Sequence, residues 1–129
     1  MSQTVLDASA LLALLRDEPG ARDVAEVLTD ARISSVNYSE VVSHFINAGM
    51  PAQQVDAMLN PLPVTVVEAD RGLATSAGHL RAVTAKVGLS LGDRFCLALA
   101  KRDGLHAMTA DKQWSTIADA AGVTVVLIR

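Results

Sequence analysis

The chain has 129 residues with a single cysteine; half are hydrophobic, only 3% are aromatic, and the net charge is −3. That length suits a single domain over residues 1–129, and a core so short of aromatics must be built from Ala, Leu and Val, which favours helices packed closely on a parallel sheet. One cysteine excludes an internal disulfide, no apolar run approaches the roughly 18 residues of a membrane span, and Ala10 to Leu15 follows an acid with no basic stretch before it, so a cytoplasmic protein with no signal peptide and no membrane partner is expected.

Thr4-Val5-Leu6 reads as a short buried strand ending at Asp7. Asp7-Ala8-Ser9-Ala10 opens a helix to about Leu15, which Asp17-Glu18-Pro19-Gly20 stops. Val24, Val27 and Leu28 recur at helical spacing, and Ile33-Ser34-Ser35 is a second short strand. Ser35 or Asn37 caps the next helix, with Tyr38, Val41, Val42, Phe45 and Ile46 as its apolar stripe, until Gly49 and Pro51 end it. A helix over Ala52 to Leu59, a turn at Pro61-Leu62-Pro63 and a third strand over Val64 to Val67 follow. Ala69 to about Val87 is expected to be one helix, and Leu91-Gly92-Asp93 starts a strongly apolar helix reaching Lys101. A strand over His106 to Thr109, a helix over Asp111 to Ala121 and a strand over Val123 to Ile128 complete the chain. Strands alternating with helices imply βαβ crossovers, hence a three-layer, Rossmann-like α/β domain with a central parallel sheet flanked by helices.

Four acids stand out. Asp7, Asp93 and Asp111 each sit at a helix start, where capping and the helix dipole already account for a carboxylate. Glu40 lies off the apolar stripe of its helix, on a face with Ser43, His44 and Asn47, and by itself reads as a solvated residue. The expected topology joins them. Ligands of open parallel sheets bind beyond the carboxyl ends of the strands, and Asp7 and Asp111 follow two such ends. Glu40 is one turn into the helix leaving the second strand, and Asp93 opens the helix returning to the fourth.

Carboxylates converging there would repel one another, and a hard divalent cation removes that conflict. Mg²⁺ and Mn²⁺ prefer oxygen ligands, while Cys96 is solitary and His44, His79 and His106 are scattered, which leaves no zinc spacing. Such a site suits phosphodiester hydrolysis. Ser9 and Thr109, each two residues from an acid, are placed to orient a carboxylate or a bound water, or else to make local capping bonds. Without the four acids the chain carries 11 basic against 10 acidic residues, so the net charge does not exclude a nucleic-acid partner.

Four segments carry a resemblance in their order along the chain. They are Val5-Leu6-Asp7-Ala8-Ser9-Ala10-Leu11-Leu12, Ser39-Glu40-Val41, Leu89-Ser90-Leu91-Gly92-Asp93-Arg94-Phe95-Cys96-Leu97-Ala98-Leu99-Ala100 and Thr109-Ala110-Asp111-Lys112-Gln113-Trp114. Together they resemble the PIN-domain ribonucleases, and among them the VapC-type toxins of bacterial toxin–antitoxin pairs, over essentially the whole chain. The resemblance implies a PIN fold, dependence on Mg²⁺ or Mn²⁺, endonucleolytic cleavage of RNA, a cognate VapB-type antitoxin and a homodimer. It also implies that Asp7, Glu40, Asp93 and Asp111 are the metal-binding and catalytic acids.

Arg94, beside Asp93, and His44, on the Glu40 face, are candidates for contacting substrate, with dispersed surface charge and an ordinary exposed histidine as the plainer readings. Cys96 reads as a buried thiol and Trp114 as a packing anchor. Leu11, Leu12, Leu14 and Leu15 make the first helix apolar on more than one face, suiting either full burial or a dimer or antitoxin surface. Two other readings remain open, a catalytically silent PIN-like binding module and a receiver-like signalling domain. The receiver would need a phosphoacceptor after the third strand, where Asp70 stands.

Overall fold

The computed structural model describes residues 4–129. Five strands form one parallel sheet in the order β3-β2-β1-β4-β5, comprising β1 (Thr4–Leu6), β2 (Ala31–Ser34), β3 (Thr65–Val67), β4 (His106–Thr109) and β5 (Val125–Leu127). Leu6 is in register with Ile33 on one side and with Met108 on the other. From β1 the chain steps outward through β2 to β3, then returns to the opposite side for β4 and β5. The topological switch therefore falls between β1 and β4, where such sheets hold their ligands.

Successive strand residues face opposite sides of the sheet. Val5 and Ala107 enter one core cluster with Leu97, Leu99 and Trp114, while Leu6, Ile33 and Met108 enter the other with Leu11, Val41 and Val55. The first face is covered by α5 (Arg71–His79), α6 (Arg81–Thr84), α7 (Leu91–Asp103) and α8 (Ala118–Ala121). The second is covered by α1 (Ala8–Leu15), α2 (Ala21–Val27), α3 (Ser35–Asn47) and α4 (Ala52–Leu59). Trp114 is fully buried, as a packing anchor should be, and so is Cys96. Leu11 is buried, whereas Leu12, Leu14 and Leu15 remain partly exposed. No helix among the described residues is long and apolar enough to cross a membrane.

Three expectations need correction. The cap of α3 is Ser34, whose hydroxyl accepts from the Asn37 amide, so Ser35 and Asn37 both lie inside the helix. The stretch over Ala69 to Val87 is not one helix but α5, α6 and a 3-10 turn over Ala85–Val87. A continuous helix would pair the Ala77 carbonyl with the amide four residues on; here the buried Arg94 guanidinium donates to it at 3.1 Å. The stretch over Asp111 to Ala121 is a 3-10 turn (Lys112–Thr116) followed by α8, because the hydroxyls of Ser115 and Thr116 take the carbonyls of Lys112 and Gln113.

A deletion in this core and one on the surface should differ sharply. Leu97→Ala, at a fully buried position, should lower the unfolding free energy by about 2–5 kcal/mol. Leu91→Ala, at a site 55% exposed, should change it by less than about 0.5 kcal/mol. Urea titration followed by circular dichroism reads both.

Candidate active site

Asp7 follows the last residue of β1, and its amide continues the ladder by donating to the Met108 carbonyl at 3.2 Å. It caps α1, with Oδ1 accepting from the Ala10 amide at 2.8 Å. The same carboxylate accepts from Ser9 Oγ at 2.8 Å and from Thr109 Oγ1 at 2.6 Å. In turn the two hydroxyls accept amides from the loop beyond β4, Ser9 from Ala110 at 2.9 Å and Thr109 from Asp111 at 3.0 Å. Three donors thus meet one carboxylate that has about four acceptor positions, leaving room for one more partner.

Asp93 and Glu40 form a second assembly. Ser90 and Asp93 make a reciprocal capping box at the start of α7, with Asp93 Oδ2 accepting from the Ser90 amide at 2.9 Å. Glu40 lies over the same turn, its Oε1 accepting from Asn37 Nδ2 at 2.9 Å. Gly92 permits this close approach, since a Cβ at that position would overlap the Glu40 carboxylate. Among the described residues no side-chain hydrogen bond joins the Asp7 assembly to this one.

What joins the assemblies is repulsion. Burial pushes the Asp7 carboxyl from its ordinary 3.8 up to about 6; hydrogen bonds from Thr109, Ala10 and Ser9 oppose this, and the charge of Asp93 adds to it. Glu40 is raised first by burial and then by Asp93. Asp93 is likewise raised first by burial, and further by Asp111, while Arg94 pulls the other way. Each acid is thus an electrostatic neighbour of Asp93, and all four gather at the carboxyl edge of β1, β2 and β4.

The donor set is entirely oxygen, which suits Mg²⁺ or Mn²⁺. As the side chains are placed, no three His, Cys, Asp or Glu residues among those described stand at coordinating spacing.

Two predicted residues fall elsewhere. Arg94, expected beside substrate, is 8% exposed, packs under α5 and donates one Nη1 proton to the Ala77 carbonyl, which turns the guanidinium into the core. His44 lies one turn, about 6 Å, beyond Glu40 along α3. Its Nε2 is 3.1 Å from Arg16 Nη1 at the far end of α1. Asp70, the phosphoacceptor of the receiver reading, caps α5 by accepting from the Leu73 amide at 2.8 Å. Asn37 went unnoticed as a site residue; the signal available was an amide three residues before Glu40, at helical spacing.

Asp7 retains a proton in the folded protein over a range in which the unfolded chain has lost it, so stability is full below about pH 4 and falls as pH rises through about 6. Without divalent cations, Asp7→Asn should remove that decline and raise stability at pH 7, relative to pH 4, by up to about 3 kcal/mol. Urea unfolding of both proteins between pH 4 and pH 7 measures the difference, and parallel curves would refute it.

Residues 4–120 match the sequence profile of the PIN domain. The fold is similar to that of DNA-bound VapBC from Salmonella typhimurium, with a TM-score of 0.77 and 18% identity over all of both chains. It is also similar to VapC20 of Mycobacterium tuberculosis, a sarcin-ricin loop cleaving toxin (TM-score 0.76, 20% identity, 97% of this chain and 99% of that one). A toxin–antitoxin complex from Klebsiella pneumoniae matches at TM-score 0.74 and 20% identity over 98% of each chain. No curated protein sequence matches the chain significantly. With nearly the whole chain matched and the sheet built around a carboxyl edge bearing four acids, the protein belongs to the PIN-domain family.

Proposed function

We propose that the chain is a Mg²⁺- or Mn²⁺-dependent endoribonuclease, the toxin of a toxin–antitoxin pair held inactive by a VapB-type antitoxin. The observation that carries this reading is the gathering of Asp7, Glu40, Asp93 and Asp111 at the switch between β1 and β4, three of them with carboxyl groups raised first by burial and then by an acidic neighbour. A group of acids that cannot comfortably all be ionised is stabilised by a cation, and the similar structures are toxins and toxin–antitoxin complexes.

Asp7, Asp93, Glu40 and Asp111 would hold the ion, directly or through its waters. When bound, a divalent ion supplies neutralising charge at the phosphodiester and lowers the pKa of water. The chain's own residues do the rest. Thr109 and Ser9 fix the Asp7 carboxylate in one orientation and favour its ionised form. The start of α7 favours negative charge on Asp93 through the helix dipole. Glu40, at the mouth of the site, has its Oε1 bound by Asn37 and keeps Oε2 to accept a proton from the attacking water. The partly exposed Leu12, Leu14 and Leu15 of α1 offer an apolar surface suited to the antitoxin or to a second copy in a homodimer.

Purified protein should cleave RNA with Mg²⁺ or Mn²⁺ and lose that activity in EDTA. Thr109→Val should lower it by about 10–100-fold and leave the fold intact, while Asp7→Asn and Asp93→Asn should lower it further still. Cleavage undiminished in either aspartate variant at equal purity would sink the mechanism. Mapping RNA ends after induced expression, with Asp7→Asn as control, would identify the target.

A further inference from the structure

We propose that Asn37 is a positioning residue that fixes the Glu40 carboxylate against the first turn of α7 and so sets the Glu40–Asp93 half of the site. The proposal rests on the divalent-ion reading above for its functional consequence, and on hydrogen bonding and packing for its geometry.

Asn37 is 1% exposed and every polar atom of its side chain has a partner. Nδ2 donates one proton to Glu40 Oε1 and the other to the Gly92 carbonyl, both at 2.9 Å. Oδ1 accepts from the Ser34 hydroxyl at 2.6 Å. Capping does not require this side chain, because Ser34 Oγ already receives the Asn37 backbone amide at 3.1 Å. What the carboxamide adds is a bridge from α3 to α7 that ends on a charged oxygen.

The chemistry admits few substitutes. An aspartate of the same shape has no proton for either acceptor and would set a second negative charge beside Glu40. An aliphatic side chain would leave the buried Gly92 carbonyl and Ser34 hydroxyl short of a partner. Gly92 gives an independent sign that the approach is built in, since any side chain there would overlap the carboxylate that Asn37 holds. The Asp7 half already has its own clamp in Ser9 and Thr109. Asn37 is the corresponding clamp on the other half.

The test is Mn²⁺ binding to the metal-free protein, followed by calorimetry, with unfolding midpoints measured in parallel. Asn37→Ala should weaken Mn²⁺ binding by about 10–100-fold. Asn37→Asp should do at least as much. In a Glu40→Ala background, Asn37→Ala should add less than about twofold, because a residue acting through Glu40 has nothing left to position. Nuclear magnetic resonance of the metal-free wild type keeps the clamp testable should the variants unfold. The Asn37 side-chain amide protons should exchange far more slowly than those of the exposed Asn47 and Asn60. Equal Mn²⁺ affinity in Asn37→Ala, an undiminished effect in the Glu40→Ala background, or fast exchange at Asn37 would each overturn the proposal. Failure to cleave RNA alongside the expected Mn²⁺ cycle would defeat the ribonuclease reading and leave this one standing.

Discussion

Strand β1 lies between β2 and β4, and its parallel pairing with β4 sets Leu6 opposite Met108. One residue past that pair, Asp7 meets Thr109 at 2.6 Å. This contact can form only because two strands about a hundred residues apart end side by side and point the same way. The crossovers that bring β4 beside β1 also start α1, α3 and α7 near the same edge. The whole candidate site depends on that edge, since the acids arrive on separate elements and have no other reason to meet.

Capping and crowding are not competing explanations of these acids. Asp7 accepts the Ala10 amide of α1, Asp93 closes a capping box on α7 and Asp111 accepts the Gln113 amide. Each contact of this kind stabilises the fold by about 1 kcal/mol. Placing the same carboxylates together under partial burial works against the fold, most of all at Asp7, which is 3% exposed. The packed layers on either face of the sheet offset that opposition. Strain tolerated at one edge and stability supplied elsewhere is a common arrangement at functional sites.

Most of the elements were legible in the sequence. The short apolar runs at Thr4–Leu6 and His106–Thr109 and the helical stripe of Tyr38, Val41 and Phe45 were read in their right places, because period and burial agree there. The readings that needed correction have different causes. The break after α5 depends on Arg94 reaching the Ala77 carbonyl from another helix, and the cap of α3 depends on which of two serines faces the Asn37 amide. The first contact spans 17 residues and leaves no local pattern, while the second is local, a choice between adjacent serines that spacing alone leaves open. Arg94 was a candidate for contacting substrate because its neighbour in sequence is Asp93, yet one step along a helix turns a side chain about 100° and here turns it into the core.

By itself, the sequence determined the alternation of strands and helices, the scattering of its one cysteine and three histidines, and three acids at helix starts with a fourth one turn into a helix, since these depend only on residue type and spacing. The tertiary structure alone decided how those acids are held. It divided them into two hydrogen-bonded halves, Asp7 with Ser9 and Thr109, and Glu40 with Asn37 over Gly92, and made Asp93 the charge that both Asp7 and Glu40 feel. Side-chain partners and electrostatic neighbours are set by distances through space, which spacing along the chain does not specify.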